Sequence, residues 1–192
     1  MYQVSIKASL KESIAVKTSI LDDPSLIQKI SEVTSLVIET FNRNGKVLFC
    51  GNGGSAADAQ HLAAEFSGRF YKDRQPLYAE ALHVNTSYLT AVANDYGFEH
   101  VYARLIKGIG KSGDVLIGLS TSGNSQNIIQ AFRVARSLGM ICVGFTGHLG
   151  GLLATESDIL LNIPSTDTPR IQESHITVGH IICELVEKAL FP

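Results

Sequence analysis

Apolar residues recur at three- and four-residue steps in the first forty positions, most regularly as Ile30, Val33, Val37 and Phe41. That is the period of a helix with one buried face. Two amphipathic helices are predicted, over 3–21 and 25–42, broken apart by Asp23-Pro24-Ser25 and closed by Asn44-Gly45. The period then changes. Short unbroken apolar runs at 47–50, 78–82, 115–119, 141–145 and 159–163 read as buried strands. Helical spacing fills 55–67, 86–93, 99–108 and 125–138, and a last long helix is predicted from about Pro169 to Leu190, with Thr168 as its cap. Strands without in-out alternation, separated by helices, specify a parallel sheet covered on both faces. The expected fold is α/β: a doubly wound, five-stranded parallel sheet with an N-terminal helical pair and a long C-terminal helix. No repeat, low-complexity tract or linker interrupts residues 1–192, so one domain is expected, with 1–44 suited to oligomerisation and 45–192 forming the sheet core.

Composition narrows the class of partner. Apolar residues make up 45% and charged residues 18%, as in an ordinary globular protein. A net charge of −2 gives no electrostatic footprint for nucleic acid, and no run of Lys or Arg suits a membrane surface. Cys50, Cys142 and Cys183 are widely spaced among apolar neighbours without a CxxC pair, which reads as buried, reduced thiols. The first residues, MYQVSIKASLKES, lack the apolar core of a signal peptide, and no apolar stretch reaches membrane-spanning length. A cytoplasmic protein is expected, with neither nucleic acid nor membrane as partner.

Candidate chemistry begins at Gly51-Asn52-Gly53-Gly54-Ser55, which follows the first strand and opens a helix. Glycines let backbone N–H groups approach a ligand closely, and a helix N-terminus favours negative charge. The loop formally matches a dinucleotide fingerprint, but the acidic residue that fingerprint needs about 20 residues on falls at Asp73, ahead of the second strand. Gly110-Lys111-Ser112 is not a P-loop, because Leu105 stands where a glycine is required and a strand follows. Behind the glycine loop, Asp58, His61 and Glu65 share a helix face, and His61 and Glu65 are one turn apart. Such a pair is ordinarily a solvated face; behind a ligand loop it is also a candidate for one metal ion or substrate atom. A second loop, Ser120-Thr121-Ser122-Gly123-Asn124-Ser125, follows the third strand. It reads either as a cap plus turn or as a phosphate cradle of hydroxyls and amides. Two such loops after strands of one sheet place ligand groups at the carboxyl edge, where open α/β sheets bind ligands.

Together GNGGSAADAQHLAAEF, AVANDYGFE, GLSTSGNSQN and RIQESHITVGH resemble, in order and spacing, the phosphoheptose isomerases of the sugar isomerase (SIS) superfamily. The resemblance runs over nearly the whole chain. It implies isomerisation of sedoheptulose 7-phosphate to D-glycero-D-manno-heptose 7-phosphate through an enediol, toward bacterial heptose and lipopolysaccharide. It implies one zinc ion per subunit on His61, Glu65, Gln172 and His180, with Glu65 and His180 as catalytic acid/base groups, in a homotetramer. The implied substrate positions are Asn52, Gly53, Gly54, Glu65, Asn94, Asp95, Ser120, Thr121, Ser122, Ser125 and Gln172. Ser55 in the glycine loop and Arg69, near the end of the next helix, are added as candidates. The chain departs from the pattern at Thr168-Pro169, where a small residue is expected ahead of the Arg and where proline removes an N–H donor. Relatives of this size that bind the bacterial replication initiator lack the Glu and His; both are present here. An isomerase for another sugar phosphate is the other alternative.

One expectation rests on helix geometry. Gln172 and His180 are eight residues apart, about 12 Å along a straight helix and roughly 80° around it. Both cannot easily reach one ion from the same helix, so the site is expected between subunits, one chain supplying Gln172 and a neighbour His180. His148 is expected as a loop residue, His83 and His100 have no partners at telling spacing, and His175, one turn from Gln172, is expected on a solvated helix face rather than supporting the ligands.

Overall fold

The computed structural model describes residues 2–192. All five apolar runs become strands: β1 (Val47–Gly51), β2 (Ala79–Ala81), β3 (Val115–Ser120), β4 (Ile141–Thr146) and β5 (Ile159–Asn162). They form one parallel sheet in the order β2-β1-β3-β4-β5. The chain winds outward from β1 in one direction to β2 and in the other through β3 to β5. Between β1 and β3 it therefore reverses, and a crevice opens at their carboxyl ends.

Successive side chains of each strand point to opposite faces. Phe49, Ile117, Leu119, Val143 and Phe145 pack against α2 (Pro24–Asn42), α3 (Gly54–Ser67) and α8 (Thr168–Leu190). Leu48, Cys50, Leu116 and Cys142 meet α4 (Thr86–Tyr96), α5 (Val101–Ile109) and α6 (Gln126–Ser137). The breaks have local causes. Asp23 caps α2, its Oδ1 accepting from the amides of Ser25 and Leu26 at 2.9 and 3.0 Å. At the amino ends of β1 and β3, Asp114 binds the Lys46 ammonium and the amides of Lys46 and Lys111 in a buried ion pair.

Several boundaries differ from expectation. β2 is an edge strand of only three residues. Gly97, at φ +97, turns the chain into a 3-10 turn over Phe98–His100, so α5 starts later than the spacing suggests. A short α7 (Leu153–Glu156) was not expected, and α8 begins one residue early with Asp167, not Thr168, in the cap position. The helix α1 (Tyr2–Leu21) forms as expected, yet among the described residues it buries only Ile20, leaving Val4, Ile6, Leu10 and Ile14 exposed.

Candidate active site

Both ligand loops lie at the β1/β3 crevice. The glycine loop enters α3 through Gly53, at φ +55 and ψ −123, a conformation that suits glycine alone; a side-chain carbon added there would meet nothing within 4 Å. Neither α3 nor α6 has a side-chain cap. Ser125, at the cap position of α6, instead turns its hydroxyl to Ser120 at 2.9 Å. The two uncapped helix N-termini leave backbone N–H groups of the kind that bind anions.

Residues outside the expected set, Asn127 and Tyr102 among them, fasten these loops in place. Asn52 and Asn127 exchange two amide hydrogen bonds, at 2.9 and 2.8 Å, and so tie the first loop to the start of α6. The Tyr102 hydroxyl, fully buried, donates to the Gly51 carbonyl. Gly123 sits against the 147–151 loop so closely that an added carbon would lie 2.0 Å from the Gly150 oxygen. Asn124 accepts from the Leu152 amide and donates to the Ser122 carbonyl, both at 3.0 Å. The Gly147-His148-Leu149-Gly150-Gly151 run is thus the seat of the serine loop. Its clustered glycines were the only sequence signal.

A second group forms one to three turns along α3. Nε2 of His61 is 2.9 Å from Oε1 of Glu65 and 3.1 Å from Nε2 of His180. These three residues are the group among the described residues whose ligand atoms all lie within 4.8 Å of one another; Asp58, although on the same helix face, is not among them. Gly179 makes the approach of α8 possible, since a carbon there would lie 2.5 Å from the Leu62 side chain on α3. Burial, and then the neighbouring His61, hold the His180 imidazole below its ordinary value. The nearby Glu65 carboxylate opposes this in part, and the net shift favours the neutral ring, the form that ligates a metal or accepts a proton. His61 and Glu65 face an open cavity of about 660 Å³ that Arg69 also lines, and Arg69 makes no ion pair among the described residues.

The Gln172 amide lies over the start of α3, where a carbon added to Gly54 would be 2.6 Å from Nε2. Gly54 is seven residues, about two turns of α3, ahead of His61. Asn94 donates to Asp95 at 2.9 Å on the exposed end of α4, and no hydrogen bond among the described residues ties either to the two groups. His175 corrects its expectation: it is fully buried, with Nε2 3.1 Å from the Thr146 carbonyl, and burial pushes it down to about 4. Its position under β4 is a packing outcome that helical spacing alone does not show. Cys50, Cys142 and Cys183 are buried and unpaired, and burial raises all three thiols, which removes them as nucleophiles.

A switch-point crevice with a glycine loop on one side and a serine loop on the other defines an SIS domain, and the SIS domain family model matches residues 12–147. The phosphoheptose isomerase of Aneurinibacillus thermoaerophilus is 52% identical over 97% of this chain and 94% of its own length. The structure of a phosphoheptose isomerase from Neisseria gonorrhoeae superposes with a TM-score of 0.92 at 41% identity, covering 98% of this chain and all of that one. One from Francisella tularensis gives 0.93 at 32% identity, over 98% and 99% of the two chains. The chain belongs to the phosphoheptose isomerase family. Among the described residues no helix is long and apolar enough to cross a membrane.

Proposed function

We propose that this chain interconverts sedoheptulose 7-phosphate and D-glycero-D-manno-heptose 7-phosphate, an early step toward the heptose of bacterial surface glycans such as lipopolysaccharide. The observation that carries the reading is the convergence of His61, Glu65 and His180 in a chain about half identical to phosphoheptose isomerases. A role only as a binding partner would not need that triad.

The reaction moves a proton between adjacent carbons through an enediol, which calls for a base at carbon, an acid/base at the oxygens and stabilisation of the enediolate. Glu65 takes the carbon proton and His180 serves the oxygens. The serine loop, with the uncapped starts of α3 and α6, anchors the phosphate. Asn52, Gly53, Gly54 and Ser55 line the sugar, Arg69 approaches it from the α3 cavity, and Asn94 and Asp95 complete the set.

Two imidazole nitrogens and a carboxylate suit zinc, whose tetrahedral ligands at about 2.0–2.2 Å stand roughly 3.3 Å apart. The contacts of 2.9 and 3.1 Å fit that set. A bound Zn²⁺, one per subunit, would act as Lewis acid and template at the substrate oxygens. Gln172 and His180 are eight residues apart on one helix, so Gln172 would complete the ligand set of a neighbour. The assembly we propose is the homotetramer that the family resemblance implies. In support, α1 leaves its apolar side chains uncovered, and an apolar cavity of about 350 Å³ opens between α1, α2 and α8. Three buried, unpaired cysteines suit the reducing cytoplasm.

An NMR or coupled assay of sedoheptulose 7-phosphate turnover, with and without chelator, tests the reading. Glu65→Gln should lower kcat by about 10²–10⁴-fold, and chelation should abolish turnover until Zn²⁺ is restored. No turnover by metal-loaded wild type would defeat the proposal.

A further inference from the structure

The three ligand side chains come from two helices, so their convergence depends on how the end of α3 is fixed to α8. A buried ion pair, outside both groups above, makes that connection. After α3 ends, the chain loops back through Gly68 to Arg74, whose guanidinium lies beneath the helix end. Its Nη2 donates to the Glu65 carbonyl at 2.8 Å, and its Nη1 to the carbonyls of Phe66 and Gly68 at 2.7 and 3.1 Å. These are carbonyls a helix end leaves without partners, and a cation there also opposes the helix dipole.

The Arg74 Nε reaches Oε1 of Glu187 on α8 at 3.1 Å, with both side chains only 3% exposed. Glu187 also accepts from three successive amides of the same loop: Phe70 at 3.1, Tyr71 at 2.8 and Lys72 at 3.0 Å. Burial alone would raise this carboxyl, but the three amides and Arg74 outweigh it and hold it below its usual range. Glu187 is seven residues beyond His180, two turns along and on the same face of α8. The loop it gathers places the Phe70 ring against the His180 ring, at 5.6 Å between centroids. One network therefore touches the backbone of Glu65 from below and the ring of His180 from the side.

We infer that Arg74 and Glu187 are positioning residues for the metal triad, setting the separation of α3 from α8 at which His61, Glu65 and His180 meet. The inference rests on the metal reading above. Partners of this kind hold ligand geometry at a distance, and their loss typically weakens metal binding by about 10–100-fold.

The test measures Zn²⁺ affinity of the full-length assembly, stripped of metal, by competition with a chromophoric chelator. Glu187→Gln and Arg74→Lys are compared with Asp114→Asn, which breaks the buried Lys46–Asp114 pair at the amino ends of β1 and β3. Glu187→Gln is expected to weaken Zn²⁺ binding by at least about tenfold. Arg74→Lys, which keeps the charge but cannot fork between the helix carbonyls, should lie between it and wild type. Asp114→Asn should lower the melting temperature while leaving Zn²⁺ affinity unchanged. Wild-type affinity in Glu187→Gln, or in Arg74→Lys should the first variant not fold, would overturn the inference. Equal weakening by Asp114→Asn would also overturn it, by showing a general effect of stability. Wild type that takes up no Zn²⁺ would defeat the metal reading itself, a result distinct from both.

Discussion

Gly54 and Gly123 both border the crevice, but they tolerate a methyl group differently. At Gly54 the added carbon meets the tip of Gln172, a flexible side chain that can swing aside. Gly54→Ala should therefore leave the melting temperature nearly unchanged, with alanine if anything favouring the helix start. Turnover should fall by about tenfold or more, because Gln172 is displaced. At Gly123 the carbon meets backbone, and φ is +68. Gly123→Ala should lower unfolding free energy by about 2–4 kcal/mol and raise KM as the serine loop shifts. Denaturant titration and steady-state kinetics on the two variants separate the cases. The sequence placed these glycines in candidate ligand loops, but not which neighbour each admits, because Gln172 lies 118 residues beyond Gly54. Asn127 and Tyr102 were missed for the same reason: each acts through a partner distant in sequence, Asn52 and Gly51.

Among elements, α8 combines most roles, carrying Gln172, His175, Gly179, His180 and Glu187. Its long apolar periodicity made the helix legible, and its polar residues were legible as candidates. Their division of labour was not, since it depends on which face meets β4 and which meets α3. His175 shows the consequence. Its folded value of about 4 lies below the ordinary 6.5, so above pH 6.5 the ring is neutral in both folded and unfolded chains and has no pH-dependent effect. As pH falls from 6.5 toward 4 the unfolded chain takes up the proton first, and stability is lost; below about 4 the loss levels off. The difference in unfolding free energy between wild type and His175→Gln should therefore move by about 2–3 kcal/mol against wild type between pH 7 and pH 4.5. Urea titrations at the two pH values check this, and a constant difference would mean the ring is not buried as a neutral group.

At the scale of the whole molecule, which subunit supplies Gln172 to a site sets the question of assembly. If a site joins Gln172 of one subunit to His61, Glu65 and His180 of another, inactive Gln172→Ala and His180→Ala chains should complement each other when refolded together. Random mixing would restore about a quarter of the sites, measured as turnover. A mixture as inactive as its components would show that each chain must supply all four. By itself the sequence determined the parallel sheet, its flanking helices and the two loops at its carboxyl edge, because these follow from hydrophobic period and from residues adjacent in the chain. It also placed His61 and Glu65 together, one turn apart on a single helix. Only the tertiary structure decided that His180 meets them, that Gln172 lies over Gly54 at the start of α3, and that Arg74 and Glu187 join the two helices. Those relations depend on how close α3 and α8 come, which is set by the missing side chain at Gly179 and by packing between elements more than a hundred residues apart.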